Sequence, residues 1–131
     1  DQHGAVVVPL VVGTTEDPLF GPVVSLRFHG PTAALLGTPS YRVPPLTDAD
    51  VHDLVDSLQG SRLLAERGVD RAALEELIAR VSVLADAVPE LAELQLSPVE
   101  VTPRGVVVHA ARATVERPEV RQDARRRSIS R

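Results

Sequence analysis

Hydrophobic residues at the start of the chain occur in short, almost continuous runs. Residues 5–13 are rich in valine and predict a buried strand, in which Pro9 marks an edge or a bulge because proline cannot donate a ladder hydrogen bond. Residues 14–22 contain the turn signals Asp-Pro and Gly-Pro, and residues 23–28 form the next apolar run. The two runs are therefore predicted to pair antiparallel around a long hairpin.

Helical spacing replaces these runs in the middle of the chain. Residues 46–58 predict a helix with Thr47 as its N-cap, because apolar residues recur at intervals of three and four and acidic residues occupy the first turn. Residues 61–68 predict one or two further helical turns. Asp70 is predicted to cap a longer helix that ends near Val88, just before a proline.

Four other segments are predicted as strands. Residues 32–36 and 40–43 are short and precede the helices, whereas residues 93–101 and 105–115 follow them and are joined by a turn with the sequence T-P-R-G. The resulting order is ββββ-αα-ββ. This order predicts an α+β fold in which an antiparallel sheet carries the two main helices on one face.

The charge distribution divides the chain into two parts. Residues 117–131 hold six of the 14 basic residues, all of them arginines, against two carboxylates. This basic tail has few apolar residues and is predicted to be disordered. Residues 1–116 carry eight arginines and 16 carboxylates, a net charge of −8, and are predicted to form one domain. Such an acidic body does not suggest a nucleic-acid partner, which requires a basic folded face.

Candidate chemistry is sparse in the sequence. The chain contains no cysteine, and its four histidines have spacings that do not suggest a metal site. The serines and threonines lack the sequence context of a nucleophile, and no glycine motif for phosphates is present. The valine-rich run at 5–13 is too short for a membrane span, so a soluble, cytoplasmic protein without a membrane partner is predicted.

Several segments nevertheless resemble, in order and spacing, the C-terminal half of the ATP-grasp domain of NDP-forming acyl-CoA synthetases. The resemblance is carried by a D-P-x-F-G-P loop, an R-x-x-P-L step into a helix and an E-L-x-L-x-P strand, and it extends over residues 5–115. The segments are residues 11–25, 41–50, 60–68, 90–101 and 105–112. The resemblance implies the same α+β fold. The same domain occurs in bacterial acetyltransferases that fuse a synthetase-like region to a GNAT domain.

The resemblance also implies that the metal-binding wall of the family is altered here. Active members read E-L-D-x-N-P, where the Asp and Asn hold the magnesium that bridges the ATP phosphates, and Gln95 and Ser97 occupy these positions in this sequence. The next strand of the family ends in V-D-A-R, and Ala110 replaces its Asp. Because magnesium favours anionic oxygen ligands, a former ATP-magnesium site is expected to have lost its ligands.

A glycine-rich segment of the family differs as well. Its usual G-x-G-G is followed by a Glu, whereas Arg27 and His29 replace two of the glycines here. Gly30 is kept and is the one position that matches a nucleotide-binding residue of the family, and Ala34 stands where the Glu is expected. Pro9 lies near another Glu of the family. The resemblance therefore implies no bound metal or cofactor for this chain, although active relatives use ATP and Mg²⁺.

Three functional hypotheses follow from the resemblance. The first is a catalytically inactive ATP-grasp subdomain with a structural or regulatory role in a longer acyl-CoA synthetase-like protein, for which a GNAT-fused lysine acetyltransferase is the favoured parent. The second is the ATP-binding half of an active ADP-forming acetyl-CoA synthetase, and the third is a freestanding interaction module. The expected partners are other domains of the parent: the first ATP-grasp half, a CoA-binding domain and, in the favoured parent, the GNAT domain.

Overall fold

The computed structural model describes residues 7–36 and 38–116, which form a six-stranded sheet and four helices. The elements in chain order are β1 (Val8–Asp17), β2 (Gly21–Phe28), α1 (Pro31–Leu36), β3 (Ser40–Arg42), α2 (Asp48–Asp56), α3 (Arg62–Glu66), α4 (Arg71–Ala87), β4 (Leu91–Thr102), β5 (Gly105–Val108) and β6 (Ala111–Val115).

The sheet is antiparallel and its order is β3-β2-β1-β4, with β5 and β6 lying end to end along the outer edge of β4. The two longest ladders join β1 to β2 and β1 to β4, so β1 lies at the centre. β1 continues to Asp17, four residues beyond the predicted end of the strand. The Asp17 carboxylate accepts hydrogen bonds from the backbone amides of Leu19 and Phe20, at 2.8 and 3.1 Å, and this closes the hairpin.

The core lies between the sheet and helices α2 and α4. Alternate side chains of β1 and β2, such as Leu10, Val12 and Leu26, pack in one cluster with Leu54 of α2 and Ile78 of α4. All five are fully buried. The prediction of an antiparallel sheet with both main helices on one face is therefore confirmed, and the opposite face of the sheet is left for other contacts.

The helix boundaries agree with the sequence prediction because their caps are formed. The Thr47 hydroxyl accepts a hydrogen bond from the backbone amide of Asp50, and the Asp50 carboxylate accepts one from the backbone amide of Thr47, each at 3.0 Å. The Asp70 carboxylate caps α4 by accepting a hydrogen bond from the backbone amide of Ala73 at 3.0 Å.

Three details of the sequence prediction are wrong. Residues 32–36 belong to the helix α1 and not to a strand, because Pro31 suits the first helical position and alanine and leucine follow it. Residues 105–115 form two strands, since the chain leaves the ladder at 109–110. Pro9 is not at a sheet edge, although a register irregularity does follow in β1, between Leu10 and Val12.

The predicted disordered tail, residues 117–131, lies outside the described residues, so its disorder remains a prediction. The helices that the structure describes include none with the length and apolar character needed to cross a membrane.

Candidate functional site

A row of paired residues crosses the sheet face that is opposite to helices α2 and α4. Its members, one from each of five strands, are Tyr41, Ser25, Gly13, Gln95 and Arg112, and each is paired in register with the next. Because neighbouring residues across a ladder share a face, their side chains point to the same side of the sheet. This cross-strand row forms the floor of the candidate site.

Gly13 lies at the centre of the row and has no side chain. A Cβ atom added at Gly13 would collide with the backbone carbonyl oxygen of Leu94 and would lie 3.3 Å from the Cα of Gln95. The glycine therefore permits β1 and β4 to approach closely where Gln95 lies. A glycine within a run of β-branched residues was a signal in the sequence for such an approach.

Two pockets adjoin Gln95 on this face. The first, which we call the sheet-face pocket, has a volume of about 200 Å³, and the second, the β4–β6 pocket, has a volume of about 340 Å³. Gln95 lines both of them. The sheet-face pocket is lined by Val11, Gly13, Thr14, Thr15, Ser25, Arg27, Pro39, Tyr41, Glu93, Leu94 and Gln95, and the β4–β6 pocket by Gln95, Ser97, Ala110, Ala111 and Arg112.

A larger pocket of about 500 Å³ extends the same face toward the β1–β2 hairpin. It shares Thr15 and Tyr41 with the sheet-face pocket. Phe20 and Val43 also line it, and both side chains are exposed apolar groups. Concave surface therefore extends from the hairpin across the cross-strand row to β6.

Three of the residues singled out in the sequence come together in the β4–β6 pocket. Gln95, Ser97 and Ala110 all line it, and the backbone amide of Ser97 donates a hydrogen bond to the carbonyl oxygen of Ala110 at 3.0 Å. Gln95 and Ser97 are half-buried and Ala110 is exposed. The structure thus places these positions side by side, two on β4 and one at the junction between β5 and β6, away from the core, whereas their role stays a prediction.

The residues of the glycine-rich segment are more scattered. Gly30 forms the turn after β2 with a φ of +73°, a conformation that suits glycine, and its carbonyl oxygen accepts a hydrogen bond from the amide of Ala33. The backbone conformation of this turn is sufficient to explain why the residue is a glycine, so a bound ligand is not needed to explain it. Arg27 lines the sheet-face pocket. The backbone of Ala34 belongs to α1, but its side chain lies outside the described part of the chain.

The charges at the two pockets favour an anion over a cation. Gln95 and Ser97 offer a neutral amide and a neutral hydroxyl, and Ala110 offers no polar side-chain atom. Arg27 in the sheet-face pocket and Arg112 in the β4–β6 pocket are cations, and Glu93 is the one carboxylate among the described residues that line either pocket. A magnesium ion seeks carboxylate and phosphate oxygens, so these residues do not fit a magnesium site.

Two histidines contact carboxylates away from these pockets. His52 lies 3.3 Å from Asp56 and 3.1 Å from Glu75, and Arg71 binds the same two carboxylates. Partial burial opposes the charge of Arg71, but hydrogen bonds to Glu75 and Asp56 outweigh this and raise the pKa of its guanidinium. This network joins α2 to α4 and is structural.

His109 forms the other pair, at 2.8 Å from Glu100, and ties the β5–β6 junction to β4. Over residues 7–36 and 38–116, histidines and carboxylates do not gather into a group of three or more that could hold a metal ion.

Comparison with known proteins places this chain in a family. Residues 4–115 match the model of the ATP-grasp domain, so the chain belongs to the ATP-grasp domain family. Among curated proteins it is similar to an ADP-forming acetate–CoA ligase of Archaeoglobus fulgidus, with 34% identity over 103 residues. It is also 32% identical, over 94 residues, to the beta subunit of an ADP-forming acetate–CoA ligase of Pyrococcus furiosus.

A solved structure has the same fold. It is a dinucleotide-forming acetyl-coenzyme A synthetase of Ca. Korarchaeum cryptofilum in complex with coenzyme A and Mg-AMPPCP, with a TM-score of 0.76 and 30% identity, and the match covers 83% of this chain and 53% of that chain.

The chain is much shorter than these relatives. The match covers 76% of this chain but 15% of the Archaeoglobus fulgidus ligase, and 69% of this chain but 40% of the Pyrococcus furiosus subunit. The relatives therefore contain further segments beyond the part that this chain resembles.

Proposed function

We propose that this chain is an ATP-grasp subdomain of an acyl-CoA synthetase-like protein in which the magnesium-ATP site no longer works, and that it has a structural or regulatory role. One observation carries the proposal. The three positions where the resemblance expects magnesium ligands lie together around one pocket as Gln95, Ser97 and Ala110, and none of them carries a charge.

The physical reason is the strong hydration of magnesium. Mg²⁺ gives up water reluctantly and is usually held by one or two carboxylates in addition to phosphate oxygens. The β4–β6 pocket offers Arg112 beside these neutral groups. Arg112 also stands in the V-D-A-R of active members, so the altered positions are the neutral ones, and these offer a divalent cation no anionic oxygen.

A second candidate is the ATP-binding half of an active ADP-forming acyl-CoA synthetase. The 34% identity to the Archaeoglobus fulgidus ligase favours it. In this candidate, the neutral oxygens of Gln95 and Ser97 would themselves hold magnesium-ATP. The two candidates thus differ in whether this chain itself strengthens magnesium-dependent nucleotide binding.

The parent protein follows from the same proposal. The relatives reported above are CoA ligases and a synthetase, and they support a synthetase-like parent with the first ATP-grasp half and a CoA-binding domain as partners. A GNAT-fused acetyltransferase as the parent is supported by the sequence resemblance alone. In either parent the proposed subdomain supports neighbouring domains through its fold and not through catalysis.

The proposal is tested with Mn²⁺, a paramagnetic substitute for Mg²⁺. Electron paramagnetic resonance of Mn²⁺ with ATP is recorded with the wild-type chain and with the triple variant Gln95→Asp, Ser97→Asn, Ala110→Asp. We expect the wild-type chain to leave the Mn-ATP signal unchanged and the triple variant to bind Mn²⁺. A wild-type chain that binds Mn-ATP as well as the variant does would favour the active enzyme.

A further inference from the structure

The outer edge of β6 is an open strand edge. β6 pairs with β4 on one side, and no residue that the structure describes pairs with it on the other side. All five residues of β6 are exposed, so helices α2 and α4 do not cover this strand. An open edge of this kind presents backbone amides and carbonyl groups that can form hydrogen bonds with a further strand.

The opposite edge of the sheet, at β3, is short and is held to a helix. β3 contains three residues. The Ser40 hydroxyl donates a hydrogen bond to the carbonyl oxygen of Leu54 in α2 at 2.8 Å, and the Arg42 guanidinium donates to the Ser57 hydroxyl at 2.8 Å. Short edge strands and adjacent helices prevent edge-to-edge pairing. β6 is longer and fully exposed, so it is the edge that suits an added strand.

Two hydrogen bonds define which backbone groups of β6 point outward. The carbonyl oxygen of Ala110 accepts a hydrogen bond from the amide of Ser97 at 3.0 Å. The amide of Glu116 donates one to the carbonyl oxygen of Glu90 at 2.7 Å. Successive residues of an antiparallel strand direct their backbone groups to opposite sides, so the even-numbered residues face β4. The outward-pointing backbone groups belong to the odd-numbered residues of β6, which are Ala111, Ala113 and Val115.

We propose that β6 pairs antiparallel with β6 of a second copy of this chain, around a two-fold axis at Thr114. In this register Ala113 lies opposite Val115 of the second copy. Residues whose backbone groups point outward therefore face each other and exchange hydrogen bonds. Arg112 lies opposite Glu116 of the second copy. The two-fold axis repeats each of these pairs, as in other symmetric dimers.

The side chains favour the same register. Arg112 is exposed and forms no salt bridge within the described part of the chain. Residues 112, 114 and 116 share the sheet face of Gln95, because Arg112 pairs with Gln95 in the ladder. Arg112 and Glu116 of the second copy thus meet on one face, where opposite charges across a strand pair are stabilising. On the other face Val115, which is 69% exposed, gains an apolar contact with Ala113.

The nearest alternative registers meet fewer of these requirements. An axis at Ala113 or at Val115 also matches the outward-pointing backbone groups, but it places no carboxylate opposite Arg112. An axis between two residues places an outward-pointing residue opposite one that faces β4, so the hydrogen bonds are not formed. The sequence of β6 is thus self-complementary around Thr114, which favours a second copy over an unrelated strand.

The test is sedimentation equilibrium of the 131-residue chain over a series of concentrations. One added strand makes a small interface, so we expect a weak dimer with a dissociation constant in the micromolar range. Ala113→Pro removes an outward-pointing amide without removing a hydrogen bond to β4, since proline is tolerated at a strand edge. The dimer should weaken roughly tenfold or more in this variant.

Exchange of the two charges tests the register. Arg112→Glu places like charges opposite each other and should weaken the dimer roughly tenfold, and the double variant Arg112→Glu, Glu116→Arg should restore the wild-type dissociation constant. The matched control is Arg104→Glu, the same change at an exposed arginine in the β4–β5 turn, which should leave the dimer unchanged. Thermal unfolding of each variant verifies that the fold is kept, and the charge variants decide the question even if Ala113→Pro unfolds.

Three results would overturn the proposal. The first is a wild-type chain that remains monomeric at about 1 mM. The second is a dimer that a folded Ala113→Pro variant does not weaken, because a different surface must then hold the two copies. The third is a dimer that Arg112→Glu leaves unchanged or that the double variant does not restore, because the register must then differ. None of these results bears on the proposed loss of the magnesium site.

Discussion

The backbone amide of Ser97 donates a hydrogen bond to the carbonyl oxygen of Ala110 at 3.0 Å, across the junction between β5 and β6. The amide of His109 in turn donates to the carbonyl oxygen of Pro98 at 3.1 Å. These two bonds hold the chain beside β4 at the point where the regular ladder is interrupted. The side chains at 97 and 110 are therefore placed by the backbone and not by packing in the core.

A substitution at Ala110 should accordingly leave the fold unchanged. Ala110 is exposed, so Ala110→Asp should alter the free energy of unfolding by no more than about 0.5 kcal/mol in urea denaturation. Leu54→Ala provides the contrast: Leu54 is completely buried between α2 and the sheet, and its truncation should cost about 2–5 kcal/mol. A large loss of stability in Ala110→Asp would show that this position supports the fold.

Gly13 should be far less tolerant. In Gly13→Ala the new methyl group meets the Leu94 carbonyl oxygen, so β1 and β4 must separate, and we expect a loss of about 1–3 kcal/mol in urea denaturation. Thr114→Ala on the exposed strand β6 is the control and should change stability by about 0.5 kcal/mol or less. If Gly13→Ala were as stable as the wild-type chain, the close approach beneath Gln95 would be refuted.

Asp50 should make stability depend on pH in the acid range. The Thr47 backbone amide donates to the Asp50 carboxylate at 3.0 Å, which lowers the pKa of this carboxyl below its ordinary value, with a smaller contribution from the Thr47 side chain. A lowered pKa in the folded state means that the ionised group stabilises the fold. This contribution is complete above about pH 4, the pKa range of an unfolded Asp, and is lost as the pH falls through the folded pKa.

Thermal unfolding of Asp50→Asn across the acid range checks this expectation. The variant should be less stable than the wild-type chain at neutral pH, and the difference should shrink on acidification. Asp48→Asn, in the same helical turn, serves as the control. A difference between wild type and Asp50→Asn that stays constant with pH would contradict the capping role of the carboxylate.

The sequence predicted the elements whose signals are local. Thr47 and Asp70 begin helices because a side-chain oxygen can cap the chain within three residues, and the structure has both caps. Residues 32–36 were misassigned because five residues are too few to separate strand from helix by periodicity, and Pro31 determined the outcome.

The sequence predicts only those parts of the candidate site that lie within one strand or across one tight turn. Alternation placed Gln95 and Ser97 on one face, and the turn between β4 and β5 brought Ala110 near them. The rest of the cross-strand row depends on the register between strands distant in sequence, such as Gly13 with Gln95, and a local pattern does not specify that register. The sequence therefore does not place Tyr41 and Glu93 at the site. Only the structure shows that they line the sheet-face pocket.

The central claim is that this chain does not use magnesium to bind nucleotide, and calorimetry of the wild-type chain with ATP tests it most directly. The titration is performed once with Mg²⁺ in excess and once with EDTA, under otherwise equal conditions. The neutral groups of Gln95, Ser97 and Ala110 predict that binding with Mg²⁺ is no stronger than binding with EDTA. Binding that occurs with Mg²⁺ and disappears with EDTA would contradict the claim.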